Sequence, residues 1–323
     1  MKPFSVSKDV VRAAYDRVRT RKKSVGIDKQ TISDFESSLE SNLYQIWHDI
    51  NAGSYEPSPL RVFYKPKKSG GHRMIGITTV RDSIAERTLL HYLNRFVSPH
   101  FHPHSYQLQK RGHIHAVKMA AIHCNRYNWV LCIDVKSFAD SLNWTFLEHI
   151  LAIHIKSPSF QKCMQRFVQV PFHMPNGERL RRKQGVPTGL ILTDTLGNLF
   201  LHHLFDQRMK RIYPNIAFER YLDDIIIHCP HETDAQKLHD HIKQHFYRYQ
   251  LNLNTEKTKI IYCKDDRRTA HYKHTSFEFL GYKFQSTPTH LNQKKRNLFL
   301  PQKKISSPGY TRSPLLSGYS IYG

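Results

Sequence analysis

Three aspartates stand at positions where carboxylates could perform chemistry together. Asp134 ends a predicted strand (130–133), and Asp223 and Asp224 lie at the tip of a predicted hairpin over 217–229. Carboxylates repel one another, so three of them gather at low cost only where cations neutralise them. Magnesium prefers oxygen ligands, and two such ions can activate a hydroxyl group and stabilise a leaving group. The pattern therefore indicates two-metal phosphoryl transfer, although an Asp-Asp pair at a hairpin tip is also common as a solvated turn.

The elements around these aspartates predict how they come together. A strand, a helix, a hairpin, a second helix and a last strand follow in the order β-α-β-β-α-β, which is the ferredoxin-like arrangement. In this arrangement the first strand and the hairpin are neighbours, so the three aspartates should converge. The predicted bounds are 130–133, 142–152, 217–221 with 225–229, 234–250 and 259–263.

Most of the other segments are predicted to be helical. An insert over 153–215 is expected to contain a helix that begins at Asp194. From about residue 286 the many Ser, Gly, Pro and Lys residues predict an irregular tail. Apolar spacing further predicts helices after Ser7, after Thr31, over 79–97 and over 112–125, with extended chain over 54–76.

The charge of the chain indicates its partner. The 323 residues include 49 Lys and Arg against 26 Asp and Glu, a formal net charge of +23. Such an excess suits a phosphate backbone, because each neutralised phosphate releases counterions. No stretch approaches the ~20 apolar residues that span a bilayer, and the first residues lack the apolar core of a secretory signal. The five cysteines form no CxxC pair, so we expect reduced thiols in a cytoplasmic protein with no membrane partner.

Several motifs in sequence order resemble one protein family. The segment FERYLDDIIIHC resembles the YxDD motif of reverse transcriptases, and VLCIDVKSFADSL resembles the strand that carries their first catalytic aspartate. The resemblance extends through PKKSGGHRMIGITTVRDSIAERT, GVPTGLILTDTLGNLFLHHLFD, LNLNTEKTKIIYCKDD and FEFLGYKF. It runs from about Lys2 to Phe284 and is closest to the reverse transcriptases encoded in bacterial group II introns.

The resemblance implies an α+β fold, a right-hand polymerase with fingers and a ferredoxin-like palm. Residues 1–127 would be the N-terminal extension and fingers, and 128–285 the palm with its helical insert (153–215). The thumb of the family is expected to be missing, with 286–323 as a truncated thumb or irregular tail.

The resemblance also implies roles for particular residues and partners. Two Mg²⁺ ions would be held by the catalytic carboxylates of Asp134, Asp223 and Asp224 together with the backbone carbonyl of Val135. The substrates would be an RNA template (the intron RNA), a DNA primer and deoxyribonucleoside triphosphates. The incoming nucleotide would meet Lys67, Arg73, Ala139 and Thr188, and the primer end would meet Gly281 and Tyr282.

Some positions depart from the pattern of the family. Two consecutive aromatic residues are usual where Phe138 and Ala139 stand, and the second normally blocks the 2′-hydroxyl of a ribonucleotide. Ala139 should therefore weaken the discrimination between the two sugars. Thr188 replaces a longer glutamine, Leu190 replaces a glycine, and Leu222 replaces the alanine before the paired aspartates.

The sequence thus predicts an RNA-directed DNA polymerase of a group II intron-type retroelement. Two alternatives keep the same fold: a catalytically impaired RNA-binding remnant, and a domesticated polymerase with relaxed nucleotide choice. A two-metal nuclease would share the carboxylates, but it would leave Lys67, Arg73 and the Gly281-Tyr282 motif without a purpose.

Overall fold

The computed structural model divides the chain into two compact units. The first takes the described residues up to Phe101 together with Ser137–His203, and the second takes His102–Lys136 and the described residues from Leu204 onward. The structure describes residues 5–20, 25–66, 70–108, 112–291 and 294–303.

The described residues form α-helices and β-strands in the following order along the chain. The helices are α1 (Lys8–Arg19), α2 (Ile32–Glu36), α3 (Leu39–Ala52), α4 (Val80–Val97), α5 (Gly112–Arg126), α6 (Trp144–His154), α7 (Pro158–Gln169), α8 (Leu192–Leu201), α9 (Gln207–Ile212) and α10 (Glu232–Arg248). The strands are β1 (Leu60–Pro66), β2 (His72–Ile77), β3 (Trp129–Ile133), β4 (Phe172–His173), β5 (Arg179–Leu180), β6 (Phe218–Tyr221), β7 (Asp224–Cys229), β8 (Lys259–Tyr262), β9 (Ser276–Phe279), β10 (Tyr282–Leu291) and β11 (Lys294–Lys303). Short 3₁₀ turns lie at Ser98–His100 and Phe138–Ser141, and a π-helical turn at His202–Asp206.

The first unit packs helices beside a small sheet. Its strands follow the order β2-β1-β4-β5, and α1 and α3 pack on the long helix α4. Ser7 caps the start of helix α1, and its hydroxyl accepts the Val10 N–H, as the sequence predicts. The helix predicted after Thr31 is instead two helices, because Ser38 leaves the helical backbone conformation between α2 and α3. Serine hydroxyls compete for backbone hydrogen bonds, and the Ser37 hydroxyl donates to the Asp34 carbonyl at this break.

The second unit contains the predicted ferredoxin-like sheet. Its antiparallel order is β6-β7-β3-β8, which confirms the pairing expected from the sequence. Helix α10 contacts β3, β7 and β8, and α5 contacts β6 and β7. Alternate residues of a strand point to opposite faces, and Ile226 lies in one buried cluster with Val117, Ala120 and Cys124 of α5. The first helix of the predicted β-α-β-β-α-β order, α6, belongs to the other unit.

Residues 286–303 correct the prediction of an irregular tail. Strands β10 and β11 pair over ten residues, from Tyr282 with Lys303 to Leu291 with Lys294, and β9 pairs with β10. On one face, Phe284 and Phe299 are fully buried in the cluster that contains α5. Because so few apolar side chains fix this hairpin, its Ser-, Lys- and Gln-rich sequence is typical of a loop. Residues 304–323 of the predicted tail lie outside the described residues.

The helix predicted to begin at Asp194 starts two residues earlier. Helix α8 begins at Leu192 and follows Ile191. Asp194 therefore stands in the first turn, where a carboxylate still complements the helix dipole.

The division into fingers, palm and thumb at 127 and 285 stays a prediction. Among the helices that the structure describes, none combines the length and the apolar character needed to cross a membrane.

Candidate functional site

The second unit brings the three predicted carboxylates to one end of its central sheet. Ile133 of β3 pairs with Ile225 of β7. Because the two strands run antiparallel, the next residue of the first strand, Asp134, comes opposite Asp224. Asp223 stands in the turn immediately before β7. The convergence expected from the β-α-β-β-α-β order is therefore present.

The turn that carries Asp223 is braced from inside the protein. Tyr221 pairs with Asp224 across the turn, and Leu222 has a φ of 55°, which is uncommon for a residue other than glycine. The fully buried Arg220 donates its Nη1 to the Leu222 carbonyl at 3.3 Å. The same guanidinium donates its Nε and Nη2 to the two carboxylate oxygens of the buried Asp206, at 2.7 and 2.5 Å. A buried ion pair thus holds the backbone beside the candidate catalytic residues.

Asp224 titrates in an unusual range. Burial, together with the negative charges of Asp223 and Asp134, raises the pKa of this carboxyl group to about 7 against the opposing effect of Lys257. The backbone N–H of Leu280, which hydrogen bonds to Asp224, also opposes the rise.

The Leu280 hydrogen bond places the predicted primer-end turn beside the carboxylates. Leu280 and Gly281 both have positive φ values, 50° and 80°, in the turn between β9 and β10. A positive φ is easily adopted by glycine. Gly281 is exposed, whereas Tyr282 is buried in the core next to α5. Of the two predicted residues, Gly281 is thus the exposed one, and contact of either with a primer stays a prediction.

Asp134 has a partner that the sequence did not predict. The Nζ of Lys257 lies 3.4 Å from Oδ1 of Asp134, and the N–H of Asn254 donates to the Asp134 carbonyl at 2.8 Å. Val135 pairs with Leu253 in an isolated bridge. The segment 252–258 therefore fixes the backbone that carries the first carboxylate. Lys257 lies in a motif that the family resemblance covers, but its ion pair requires the fold.

The residues predicted to contact the nucleotide lie in the first unit. The Ala139 carbonyl accepts the N–H of Val186 at 2.8 Å, and the Thr188 carbonyl accepts the N–H of Gly76 at 2.8 Å. The 3₁₀ turn with Ala139, the loop with Thr188 and the strand with Arg73 are therefore adjacent. Arg73 is exposed, opposite Lys65 in the β1–β2 hairpin, and Lys67 lies outside the described residues.

The loop around Thr188 approaches this hairpin closely at a glycine. Gly189 has a φ of 119°, and a Cβ built there would lie 2.1 Å from the Gly76 carbonyl oxygen. No side chain fits at that distance, so Gly189 permits the close approach of the two backbones. Leu190, the next residue, is buried.

The carboxylate set suits divalent metal ions. Asp134, Asp223 and Asp224 offer hard oxygen ligands, which Mg²⁺ prefers. The pKa of Asp224 is raised first by burial and then by repulsion from Asp223 and Asp134, and a bound cation would oppose both effects.

Comparison with known proteins decides the family. Residues 65–284 match the family described as reverse transcriptase (RNA-dependent DNA polymerase). The chain belongs to this family. This reverse transcriptase is 23% identical to the protein YkfC of Escherichia coli, over 92% of this chain and 85% of that protein. It is 24% identical to the group II intron-encoded protein LtrA of Lactococcus lactis, over 80% of this chain but 42% of LtrA.

Other relatives agree with this placement. A putative COX1/OXI3 intron 2 protein of Saccharomyces cerevisiae is 23% identical, over 62% of this chain and 24% of its own length. Two of these relatives are thus named as intron-encoded proteins. The reverse transcriptase spans less than half of the length of LtrA. The family uses divalent metal ions and a nucleic acid template.

Solved structures share the fold. Telomerase of Candida albicans, in complex with a fragment of telomeric RNA, matches with a TM-score of 0.52 at 12% identity, over 78% of this chain and 48% of that one. Telomerase of Candida tropicalis matches with a TM-score of 0.53 at 15% identity, over 71% and 53%.

Proposed function

We propose that this reverse transcriptase catalyses DNA synthesis on an RNA template at Asp134, Asp223 and Asp224. The observation that carries the proposal is the convergence of these three carboxylates at the end of β3 and β7, with the pKa of Asp224 raised to about 7. Such a set is costly unless cations bind it. Two Mg²⁺ ions are proposed to be those cations. When bound, they would supply charge stabilisation for the attacking and leaving oxygens.

The protein residues would bind and orient the reactants. Asp134, Asp223 and Asp224 would hold the metal ions, with the Val135 carbonyl as a further oxygen ligand. Asp224 would lose its proton as the site becomes loaded, because a protonated carboxyl group is a poor ligand. The exposed Gly281 backbone, next to the Leu280 N–H that contacts Asp224, would support the primer end.

The basic residues of the first unit would bind the incoming nucleotide. Arg73 is exposed on β2, and a guanidinium matches phosphate oxygens with two parallel hydrogen bonds. Lys67 is proposed as a second cation for the triphosphate. Ala139 and Thr188 would contact the sugar and the base pair. The net charge of +23 supports an RNA template and a DNA primer as the partners, with intron RNA as the natural template.

Primer extension on an RNA template with Mg²⁺ tests the proposal. We expect the parent chain to extend a DNA primer and Asp223→Ala to lose extension by at least ~1,000-fold. Asp240→Ala removes an exposed carboxylate from α10 of the same unit and should leave extension unchanged. If a folded, RNA-bound parent fails to extend, or if Asp223→Ala extends equally well, the proposal is wrong.

The choice of sugar is tested in the same assay. The parent should use ribonucleotides in addition to deoxyribonucleotides, because Ala139 leaves space beside the 2′-carbon. Ala139→Phe should reduce ribonucleotide use by ~10- to 100-fold and affect deoxyribonucleotides little. Equal discrimination by the parent and the variant would remove Ala139 from the sugar site.

A second candidate function has one specific observation in its favour. Lys257 already pairs with Asp134, so one carboxylate of the site is neutralised by the protein itself. A chain that binds RNA without polymerising would show salt-dependent RNA affinity and no extension under any metal condition. Lys257→Ala separates the two candidates. In a polymerase whose lysine competes with the metal, the variant should bind Mg²⁺ more strongly and still extend the primer. In a chain that only binds RNA, extension should stay absent.

A further inference from the structure

A second group of metal-type ligands lies inside the same unit, away from the three aspartates. It consists of His123 on α5, Glu219 on β6 and His228 on β7, whose donor atoms all lie within 4.8 Å of one another. Nδ1 of His123 is 2.6 Å from Oε1 of Glu219, and Nε2 of His228 is 2.6 Å from Oε2. Among the described residues it is the one such group.

The sheet register creates this group. Glu219 pairs with Ile226, so His228 lies diagonally across from Glu219 on the same face of the hairpin. This is the face that packs against α5, where Ile226 meets Ala120 and Cys124. A single helix and a single hairpin thus point three polar side chains into an otherwise apolar cluster.

Burial leaves one polar atom of this otherwise hydrogen-bonded group without a partner. The side chains of Glu219 and His228 are wholly inaccessible to solvent. Burial opposes ionisation, but the neighbouring His228 and His123 outweigh it and lower the pKa of Glu219 to about 2. The carboxylate is therefore charged inside the core. The other ring nitrogen of His228, Nδ1, is buried and has no hydrogen-bond partner.

The donors match the preferences of one class of ion. Zinc takes imidazole nitrogens and carboxylate oxygens at ~2.0–2.2 Å, commonly in tetrahedral geometry, which separates ligand atoms by about 3.3 Å. The present spacing of 2.6 Å is that of hydrogen bonds, in which the charged Glu219 accepts an N–H from each ring. Metal binding would move the proton of each coordinating nitrogen to the other nitrogen of the same ring, and it would shift each ring by about 0.7 Å.

The site is open at one side only. The side chain of His123 is 15% exposed, whereas its two partners have no exposure. Solvent can therefore reach the group past His123, and a water molecule there would supply a fourth ligand.

We propose that His123, Glu219 and His228 form a binding site for a divalent transition metal ion, with Zn²⁺ as the best match. The site is separate from the Mg²⁺-type carboxylates, because His228 stands four residues from Asp224, roughly 13 Å along β7 at ~3.3 Å per residue. Nitrogen ligands also select zinc over magnesium. Bound metal would tie α5 to the hairpin whose tip carries Asp223 and Asp224.

Zinc affinity of the full chain tests this proposal. The chain is stripped with a chelator, and Zn²⁺ is then titrated in competition with a chromophoric chelator. Glu219→Gln removes the charge at nearly constant shape, and His123→Gln removes the ligand at the exposed rim. Each should weaken the tightest Zn²⁺ site by at least ~100-fold.

Two controls make the result specific. The chain has 22 histidines, and His154 and His203 form another close pair, with Nε2 atoms 2.8 Å apart in the first unit. The double variant His154→Gln with His203→Gln should keep the tight site. Asp223→Ala should also keep it, so failure of the polymerase proposal would leave this result unchanged.

The outcomes separate a metal site from a hydrogen-bonded triad. Parent affinity in both Glu219→Gln and His123→Gln would overturn the proposal, as would loss of the tight site in the control double variant. If the parent chain has no tight Zn²⁺ site, the three side chains form only a hydrogen-bonded triad and the proposal is wrong. If Glu219→Gln fails to fold by circular dichroism, His123→Gln, at the partly exposed position, decides the matter.

Discussion

An acidic group lies at each end of strand β7, Asp224 within the strand and Glu219 on the neighbouring β6, and the two have opposite surroundings. At the start of β7 Asp224 is half-buried beside two other carboxylates, and its pKa is raised to about 7. Towards its end His228 contacts Glu219, which is more deeply buried, yet the pKa of Glu219 is lowered to about 2. Burial alone would raise both values. The sign of the neighbouring charges therefore decides which acid is ionised.

This contrast indicates different purposes for the two ends. At the acidic end, bound metal ions would relieve the repulsion between the carboxylates, and this relief would add to the free energy of metal binding. The histidine end satisfies most of its charge internally, and it links α5 to the hairpin. The strand thus has carboxylate repulsion at one end and a hydrogen-bonded contact with α5 and β6 at the other.

Removing a charge at the acidic end should have the largest effect on activity. We expect Asp224→Asn to lower primer extension by at least ~1,000-fold, because one ligand of the proposed metal site is lost. Without metal, the same variant should be more stable than the parent at pH 8, because repulsion with Asp223 and Asp134 is removed. Extension and urea unfolding measure the two effects. A variant that is less stable than the parent at pH 8 would contradict the repulsion at this end.

The buried pair between Arg220 and Asp206 should give the next largest effect. Asp206→Ala leaves the guanidinium uncompensated in the core, which costs about 3–5 kcal/mol. Replacing both residues, by Arg220→Met with Asp206→Leu, should restore much of that stability, because an apolar pair needs no compensation.

The double variant separates stability from positioning. The hydrogen bond to the Leu222 carbonyl is lost with Arg220, so extension should stay low although the protein is stable. Full activity in a stable double variant would show that the ion pair does not position the turn. Asp240→Ala, on the exposed face of α10, serves as the control for loss of an acid.

The sequence predicts the acidic end of β7 much better than the histidine end. Asp134 ends one apolar run, and Asp223 and Asp224 come directly before another, so the predicted order of strands indicates their convergence. His123 and Glu219 are 96 residues apart, and no local pattern connects them. The hairpin register could have identified the diagonal pair of Glu219 and His228, but the contribution of α5 requires tertiary packing.

The distance between contacting residues also explains which parts of the fold the sequence failed to predict. Strand β3 and strand β7 of the hairpin contain the apolar runs Val130–Ile133 and Ile225–Ile227, and their β-branched residues favour buried strands. Strands β10 and β11 depend on Phe284, Phe299 and their packing on α5. Because that information is not local, their polar sequence predicts a loop.

Glu219→Gln tests the histidine end and should have an intermediate effect. The variant keeps the shape but weakens two charge-assisted hydrogen bonds, at a cost of about 1–3 kcal/mol in metal-free protein at pH 7. Urea unfolding measures this loss, with Glu256→Gln in a loop of the same unit as the control. Unchanged stability would mean that the triad contributes nothing to the fold.

The pH dependence of stability should show the smallest but most direct difference between the ends. Asp224 has a folded pKa of about 7 against an ordinary value of 3.8, so the unfolded chain binds fewer protons between these values. Stability should therefore fall as pH rises from about 4 to 7. Glu219 has a folded pKa of about 2 against 4.5, so its contribution should be lost as pH falls through that interval. Asp224→Asn should flatten the first slope only, and Glu219→Gln the second only. Equal slopes in the parent and both variants would show that neighbouring charge does not distinguish the two carboxylates.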